Sequence, residues 1–273
     1  MSLGIVISFC DLTGVMVEPW VNSGYEAILV DPQHPSGVHV DGLVTRIGHI
    51  IDHTETWRVV RRAIQSGRVV AVFGFPPCTD VAVSGSRWFA AKREEDPFFQ
   101  SKAALVAEQC RVIGQLSGVS WCFENPVSVF SSIFGKPQHT FHPYKFTGYC
   151  GDDNYTKQTC LWSGGGFVMP DEFMHESVAE AIGLVVAEFG RLVPKNKAVA
   201  AFPHDELIGT WYPDNRIHAC PPSEERANIR SATPRGFALA VHLANAPHLR
   251  HANDNRGATR SQIDMDEVWG AAQ

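Results

Sequence analysis

Between residues 4 and 163 the chain alternates short apolar runs with longer stretches of mixed polarity. Gly4–Cys10 is apolar and β-branched and ends at Asp11-Leu12-Thr13-Gly14, which predicts a strand followed by a turn. Val15–Ser23 reads as a helix. Gly24-Tyr25 then leads into a second apolar run, Ala27–Val30, closed by Asp31. Glu55–Gln65 reads as a helix with Arg58, Arg61 and Arg62 on one face, expected to be solvated. Arg68–Phe75 is almost continuously apolar, as a strand covered on both faces would be. Gln100–Leu116 is predicted helical, with Leu105, Val106, Gln109, Ile113 and Leu116 near one stripe. Val119–Phe123 is a further strand running into Glu124-Asn125-Pro126, and Thr159–Trp162 another. A helix is expected over Val178–Phe189. A last one lies in residues 232–246, through Phe237, Leu239, Val241 and Leu243, before a polar tail.

Strands alternating with helices predict an α/β fold, Rossmann-like, with a mostly parallel sheet and helices on both faces. The expected division is an α/β domain over residues 1–163 and a small separate segment over 164–222. A helix over 223–246 returns to the first domain, and 247–273 form the tail. Ligands of such sheets sit beyond the carboxyl ends of the strands. Asp11–Gly14, Asp31, Pro76–Thr79 and Glu124–Pro126 should therefore line one edge.

Composition narrows the setting. Hydrophobic residues are 44% and charged residues 19%, which excludes a disordered chain. The 23 Lys and Arg against 29 Asp and Glu leave a net charge of −6, so contact with nucleic acid must rest on a local patch. No apolar run is long enough to span a membrane, and Met1–Cys10 carries no basic leader. Seven irregularly spaced cysteines read as reduced thiols, which points to a cytoplasmic protein, monomeric or a weak dimer.

Three segments carry reactive groups. In Gly74-Phe-Pro-Pro-Cys-Thr79, two prolines stiffen the loop that presents Cys78. A nucleophilic thiol needs such presentation and a lowered pKa; the alternative is a small buried apolar side chain. In Phe123-Glu-Asn-Pro126, Glu124 closes an apolar strand, and desolvation there raises a carboxyl pKa. Such a carboxyl is able to give a proton to a ring nitrogen; the alternative is an ion-paired or capping residue. The turn Phe9–Gly14 has one glycine, too few to cradle a pyrophosphate, while Asp31 suits a ribose diol. Together they suit an adenosine without phosphates.

In order, Phe9…Gly14, Asp31, Pro76-Pro77-Cys78, Glu124-Asn125 and Tyr155-Thr156-Lys157 resemble the motifs of C5 cytosine methyltransferases. The resemblance covers residues 5–163, with Asn228–Asn245 as a terminal helix motif. It would make 1–163 the catalytic domain and 164–222 the target-recognition segment. Thr79 stands where the family has Gln, His49 replaces the acid of a Gly-Asp-Ile adenine contact at Gly48-His49-Ile50, and Pro126 replaces a Val. The basic Gln-x-Arg-x-Arg motif is reduced to Lys157. These departures suggest a divergent subgroup of the phage and mobile-element kind.

The resemblance implies methyl transfer from S-adenosylmethionine to carbon 5 of a flipped-out cytosine in DNA. Cys78 would attack the base, Glu124 would hold its ring nitrogen, Asn125 would orient Glu124 or the Cys78 loop, and Lys157 would meet the base carbonyl. Phe9, Asp11, Leu12, Thr13, Gly14, Asp31, His49, Ile50 and Pro76 would form the cofactor site. Ser84 and Gly85, in the mobile loop after the nucleophile, and Trp211 and Arg216 in the recognition segment would meet DNA. His139, His142, Cys150 and Cys160 have spacings that match no standard zinc site, so no metal is expected. Two other readings stay open: the same chemistry on RNA or a free nucleotide, and a non-catalytic relic that binds a partner.

Overall fold

The computed structural model describes residues 2–175, 178, 213–223 and 225–249. Eight strands form one sheet in the order β3-β4-β2-β1-β5-β6-β8-β7. They are β1 (Ile5–Phe9), β2 (Glu26–Val30), β3 (Val38–Asp41), β4 (Val44–Ile47), β5 (Val69–Gly74), β6 (Ser120–Pro126), β7 (His139–Phe141) and β8 (Thr159–Gly164). The stretch β4-β2-β1-β5-β6 is parallel, while β3, β8 and β7 join it antiparallel. The architecture is α/β and Rossmann-like. The parallel strands follow the doubly wound order, and the winding reverses between β1 and β5.

Helices cover both faces because alternate residues of the central strands point opposite ways. Ile5, Ile7 and Phe9 of β1 join a core with Val60 and Ala63 of α2 (Thr54–Gln65) and Ala107, Cys110 and Ile113 of α4 (Phe99–Ser117). Val6, Leu29 and Phe73 point to a second core. It holds Trp20 of α1 (Glu18–Asn22) and Phe237, Ala238 and Val241 of a C-terminal helix over Arg235–Asn245. Among the described residues the remaining short helices are α3 (Phe89–Glu95), α5 (Phe130–Ile133), α6 (Arg216–Ala219) and α7 (Arg226–Ser231), and the helix over Arg235–Asn245 is α8. Arg58, Arg61 and Arg62 are exposed on α2, as their spacing suggested.

Three expectations need correction. The first helix starts later, at Glu18, where Pro19 in its first turn supplies a pre-set φ and no stranded donor. On α4, Leu105 and Leu116 are 54% and 62% exposed, and the buried stripe is Phe99, Ala107, Cys110, Ile113 and Gly114. Small residues face the sheet there because the helix lies close to it: a Cβ on Gly114 would fall 2.5 Å from Trp121 Cγ. The β3–β4 hairpin was not anticipated, although its Asp41-Gly42 turn, with Gly42 at φ 56°, is a strong hairpin signal. Among the described residues no helix is long and apolar enough to cross a membrane. The expected helix over Val178–Phe189, apart from Val178, lies outside the described residues, as do Trp211 and Tyr212.

Candidate active site

The turn after β1 is held from within. Cys10 takes φ 55°, a left-handed conformation that costs a non-glycine residue about 1–2 kcal/mol, and its N–H donates to Val30 O at 2.7 Å. Asp11 is buried and spends both carboxylate oxygens locally. Oδ2 accepts from Ser8 Oγ at 2.7 Å, and Oδ1 accepts from Gly14 N at 2.7 Å and Thr13 Oγ1 at 3.3 Å. Gly14, at φ 72°, lets the chain reverse without a Cβ clash. Asp11 therefore builds the turn, with Leu12 half-buried and Thr13 exposed at its rim. Burial raises the Asp11 carboxyl above its usual value, the local hydrogen bonds oppose this, and the charge of Asp31 adds to it. Asp31 is buried at the end of β2, its Oδ1 accepting from Gln33 N at 2.8 Å. Across the mouth, Gln33 and Asn228 of α7 exchange hydrogen bonds at 3.0 and 3.4 Å.

The loop after β5 begins where Phe75 N donates to Phe9 O at 2.9 Å, tying it to the first turn. Asn125 Nδ2 donates to Pro76 O at 2.9 Å, so the residue beside Glu124 fixes the loop that carries Cys78. Glu124 is buried at the end of β6, and Lys157 Nζ lies 3.5 Å from its Oε1 while also donating to Ala232 O at 3.3 Å. Glu124 Oε2 and Asn125 Oδ1 are buried and have no hydrogen-bond partner among the described residues. Buried acceptors left this way cost roughly 1–3 kcal/mol each unless something fills them.

Burial raises the Glu124 carboxyl; the Lys157 ammonium pulls it back down, and the charge of Asp11 pushes it up. Burial also raises the Cys78 thiol, with Lys157 and Arg230 opposing and Glu124 adding. The resting thiol therefore lacks the lowered pKa that a nucleophile needs. Cys78 is partly buried, and desolvation of the thiolate outweighs the two cations.

The other expected residues are placed as follows. Ser84 and Gly85 lie in a 3-10 turn, Val83–Trp88, and Val83 N donates to Val127 O at 3.0 Å, anchoring the Cys78 loop to the chain beyond β6. His49 and Ile50 leave β4 at the same sheet edge; Ile50 is exposed, and His49 Nε2 lies 2.9 Å from Glu55 Oε2. Arg216 is ion-paired with Asp214, donates to Asp152 O at 3.3 Å and sits 5.4 Å over the Tyr155 ring. It braces its own segment against the turn Gly151–Asp153. Two residues were missed, Arg230 and Asn228. Both lie in α7; the resemblance took in the helix motif Asn228–Asn245 but gave neither residue a role, and no spacing links them to Cys78 or Asp31.

In comparisons with models of known protein families and with curated proteins, the chain matches none.

Proposed function

We propose that the chain transfers a methyl group from S-adenosylmethionine to carbon 5 of cytosine in DNA, through a covalent adduct of Cys78 with a flipped-out base, on a Rossmann-like class I methyltransferase fold. The observation that carries the reading is the meeting of Cys78, Glu124, Asn125 and Lys157 at the ends of β5 and β6, with Glu124 Oε2 buried and unpartnered. A polar atom in that state suits a ligand that brings its own hydrogen-bonding edge.

The crevice between β1 and β5 suits the cofactor in charge as well. Burial raises the Asp11 and Glu124 carboxyls, and the neighbouring carboxyls, Asp31 for Asp11 and Asp11 for Glu124, add to it; a cationic ligand would favour their ionised forms. S-adenosylmethionine is such a cation, and when bound it supplies an electrophilic methyl. Asp31 would hold its ribose hydroxyls, the Cys10–Gly14 turn would approach it with backbone, and Ile50 would cover its adenine.

On the substrate side, Glu124 would grip the ring nitrogen of cytosine and share a proton with it. A protonated Glu124 no longer repels a thiolate, so Cys78 loses its proton more readily once the base is held. The thiolate would add to carbon 6, carbon 5 would take the methyl with the demethylated thioether leaving, and loss of the carbon 5 proton to solvent would re-form the ring double bond and expel Cys78 as thiolate. Asn125 keeps the Pro76–Cys78 loop in register, and Lys157 offsets charge on Glu124. Extruding the base from a duplex costs a few kcal/mol.

Oligonucleotides carrying 5-fluorocytosine test this, because fluorine at carbon 5 does not leave as a proton does. Wild type with S-adenosylmethionine should form a stable covalent complex, seen by mass spectrometry, and Cys78→Ser should not. A complex that persists in Cys78→Ser, or normal turnover by that variant, rules the mechanism out. Trapping by RNA or a free nucleotide but not by DNA would move the reading to those substrates.

A further inference from the structure

A second cluster of chemistry-bearing side chains lies apart from Cys78, where β4 turns into α2. Gly48 is wedged under the neighbouring loop, and a Cβ there would fall 2.0 Å from Pro35 O, so the backbone leading into His49 is fixed. Four residues later His53 is the N-cap of α2, its Nδ1 accepting from Glu55 N at 3.2 Å. The two imidazoles stack with centroids 3.8 Å apart and planes 23° apart. Glu55, in the first turn of α2, turns back to place Oε2 at 2.9 Å from His49 Nε2. One ligating atom from each of the three residues lies within 4.8 Å of those of the other two.

An ion pair between His49 and Glu55 and a helix cap by His53 account for two of these contacts singly. They do not account for the convergence of two imidazoles and a carboxylate on one point of a fixed turn. We propose that His49, His53 and Glu55 bind a divalent transition-metal ion of the zinc class, leaving a coordination position open to solvent. Two nitrogen donors and one oxygen donor suit Zn²⁺, Co²⁺, Ni²⁺ or Cu²⁺, and they disfavour Mg²⁺ and Ca²⁺, which prefer oxygen alone. Three protein ligands plus water is a common open zinc arrangement. At metal–ligand bonds of about 2.0–2.2 Å, tetrahedral ligands stand roughly 3.3–3.6 Å apart. The 2.9 Å pair must therefore open slightly, and a pair at the 4.8 Å limit close by roughly 1.2–1.5 Å, which side-chain rotation supplies. His53 exchanges its cap bond for the ion. His49 is also the residue that the resemblance places beside the adenine, so the test reads metal binding itself and not methyl transfer.

The test uses the full chain, tag-free, reduced and stripped with chelator, titrated with Zn²⁺ by calorimetry and followed by thermal melting. Wild type should bind one equivalent at this site, and Zn²⁺ should raise its melting temperature by several degrees. A hundredfold excess of Mg²⁺ should not compete. His49→Gln and His53→Asn should each weaken that equivalent at least tenfold and abolish the thermal shift. Asn retains an N-cap acceptor and Gln retains a donor to Glu55, so both variants should melt without metal within a few degrees of wild type. Glu55→Gln serves as a third variant should either of these fail to fold. The proposal is overturned if wild type shows no saturable Zn²⁺ binding, or if the folded variants bind with wild-type stoichiometry and affinity. It is overturned equally if the equivalent disappears in Cys78→Ser instead.

Discussion

Asp153 and His242 both anchor α8, and they titrate in opposite senses. Asp153 Oδ2 accepts from Gly236 N at 2.6 Å at the start of the helix, and burial pushes its carboxyl from 3.8 up to about 6. His242 lies within the helix, edge-on to Trp20 at 5.1 Å, with neither ring nitrogen bonded to any described residue. Burial pushes its imidazole from 6.5 down to about 4. As pH falls, the native state takes up the Asp153 proton before the unfolded chain does, so this group adds stability from about pH 6 to pH 4. The unfolded chain takes up the His242 proton near pH 6.5 and the native state only near pH 4, so this group removes stability over that window. At 1.36 kcal/mol per pKa unit, each contributes roughly 2–3 kcal/mol between about pH 7.5 and pH 4.5. The two nearly cancel in the wild type, and single substitutions should expose them. His242→Leu conserves volume approximately and should gain about 2–3 kcal/mol over wild type on going from neutral to acid. At neutral pH it should already match or exceed wild type, because two unsatisfied nitrogens are gone. Asp153→Asn keeps an acceptor for Gly236 N and should lose about 2 kcal/mol relative to wild type over the same interval. Urea unfolding across pH at constant ionic strength measures this, and groups shared by all three proteins cancel in the differences. Profiles that run parallel for all three would refute the assignment.

Asp31→Ala should weaken S-adenosylmethionine binding at least tenfold by calorimetry while leaving the melting temperature nearly unchanged; equal affinity removes Asp31 from the cofactor site. Arg230→Ala removes one of the two cations that favour the Cys78 thiolate, so alkylation of Cys78 at fixed pH should slow roughly two- to fivefold, read residue by residue by mass spectrometry. An unchanged rate would place Arg230 outside the thiol's electrostatic reach. Gly114→Ala forces a methyl against Trp121 and should cost about 1–3 kcal/mol in denaturant unfolding, and a neutral result would mean that α4 shifts freely.

The central strands were legible because each is a short, branched, apolar run buried on both faces, as in β1 and β5. The site edge followed from them, since Asp11, Asp31, Cys78 and Glu124 each stand just beyond or at the end of such a run. Large side chains misled the reading of α4: Leu105 and Leu116 suggested a stripe, but close approach to the sheet selects Ala107, Cys110 and Gly114. The β3–β4 hairpin was hidden because its strands are four residues long and β3 is wholly exposed, leaving little apolar signal. Arg230 and Asn228 fell inside the terminal helix motif of the resemblance, but no role could be read for either. Their approach to the crevice depends on how α7 returns across the sheet edge, a tertiary relation that no local spacing encodes.

The electrostatics of the edge also bear on why a thiol meant for attack would rest above its usual pKa. Lys157 lies between Glu124 and the loop bond to Ala232, and its charge acts on both Glu124 and Cys78. With Glu124 ionised, that cation is largely answered by the carboxylate, and Cys78 retains its proton. If Glu124 takes a proton, the same cation is left facing the thiol, Arg230 reinforces it, and the repulsion from Glu124 vanishes. A proton on Glu124 thus removes one of the effects that hold the Cys78 thiol up, burial being the largest. Under the proposed chemistry that protonation is what binding of cytosine requires, because Glu124 must offer a proton to the ring as the sulfur attacks. A thiol coupled in this way stays protonated, and so less open to oxidation, until the base is in place. The coupling rests on residues from three separate parts of the chain, β6, the approach to β8 and α7, and this accounts for a net-acidic protein keeping two cations at this one point.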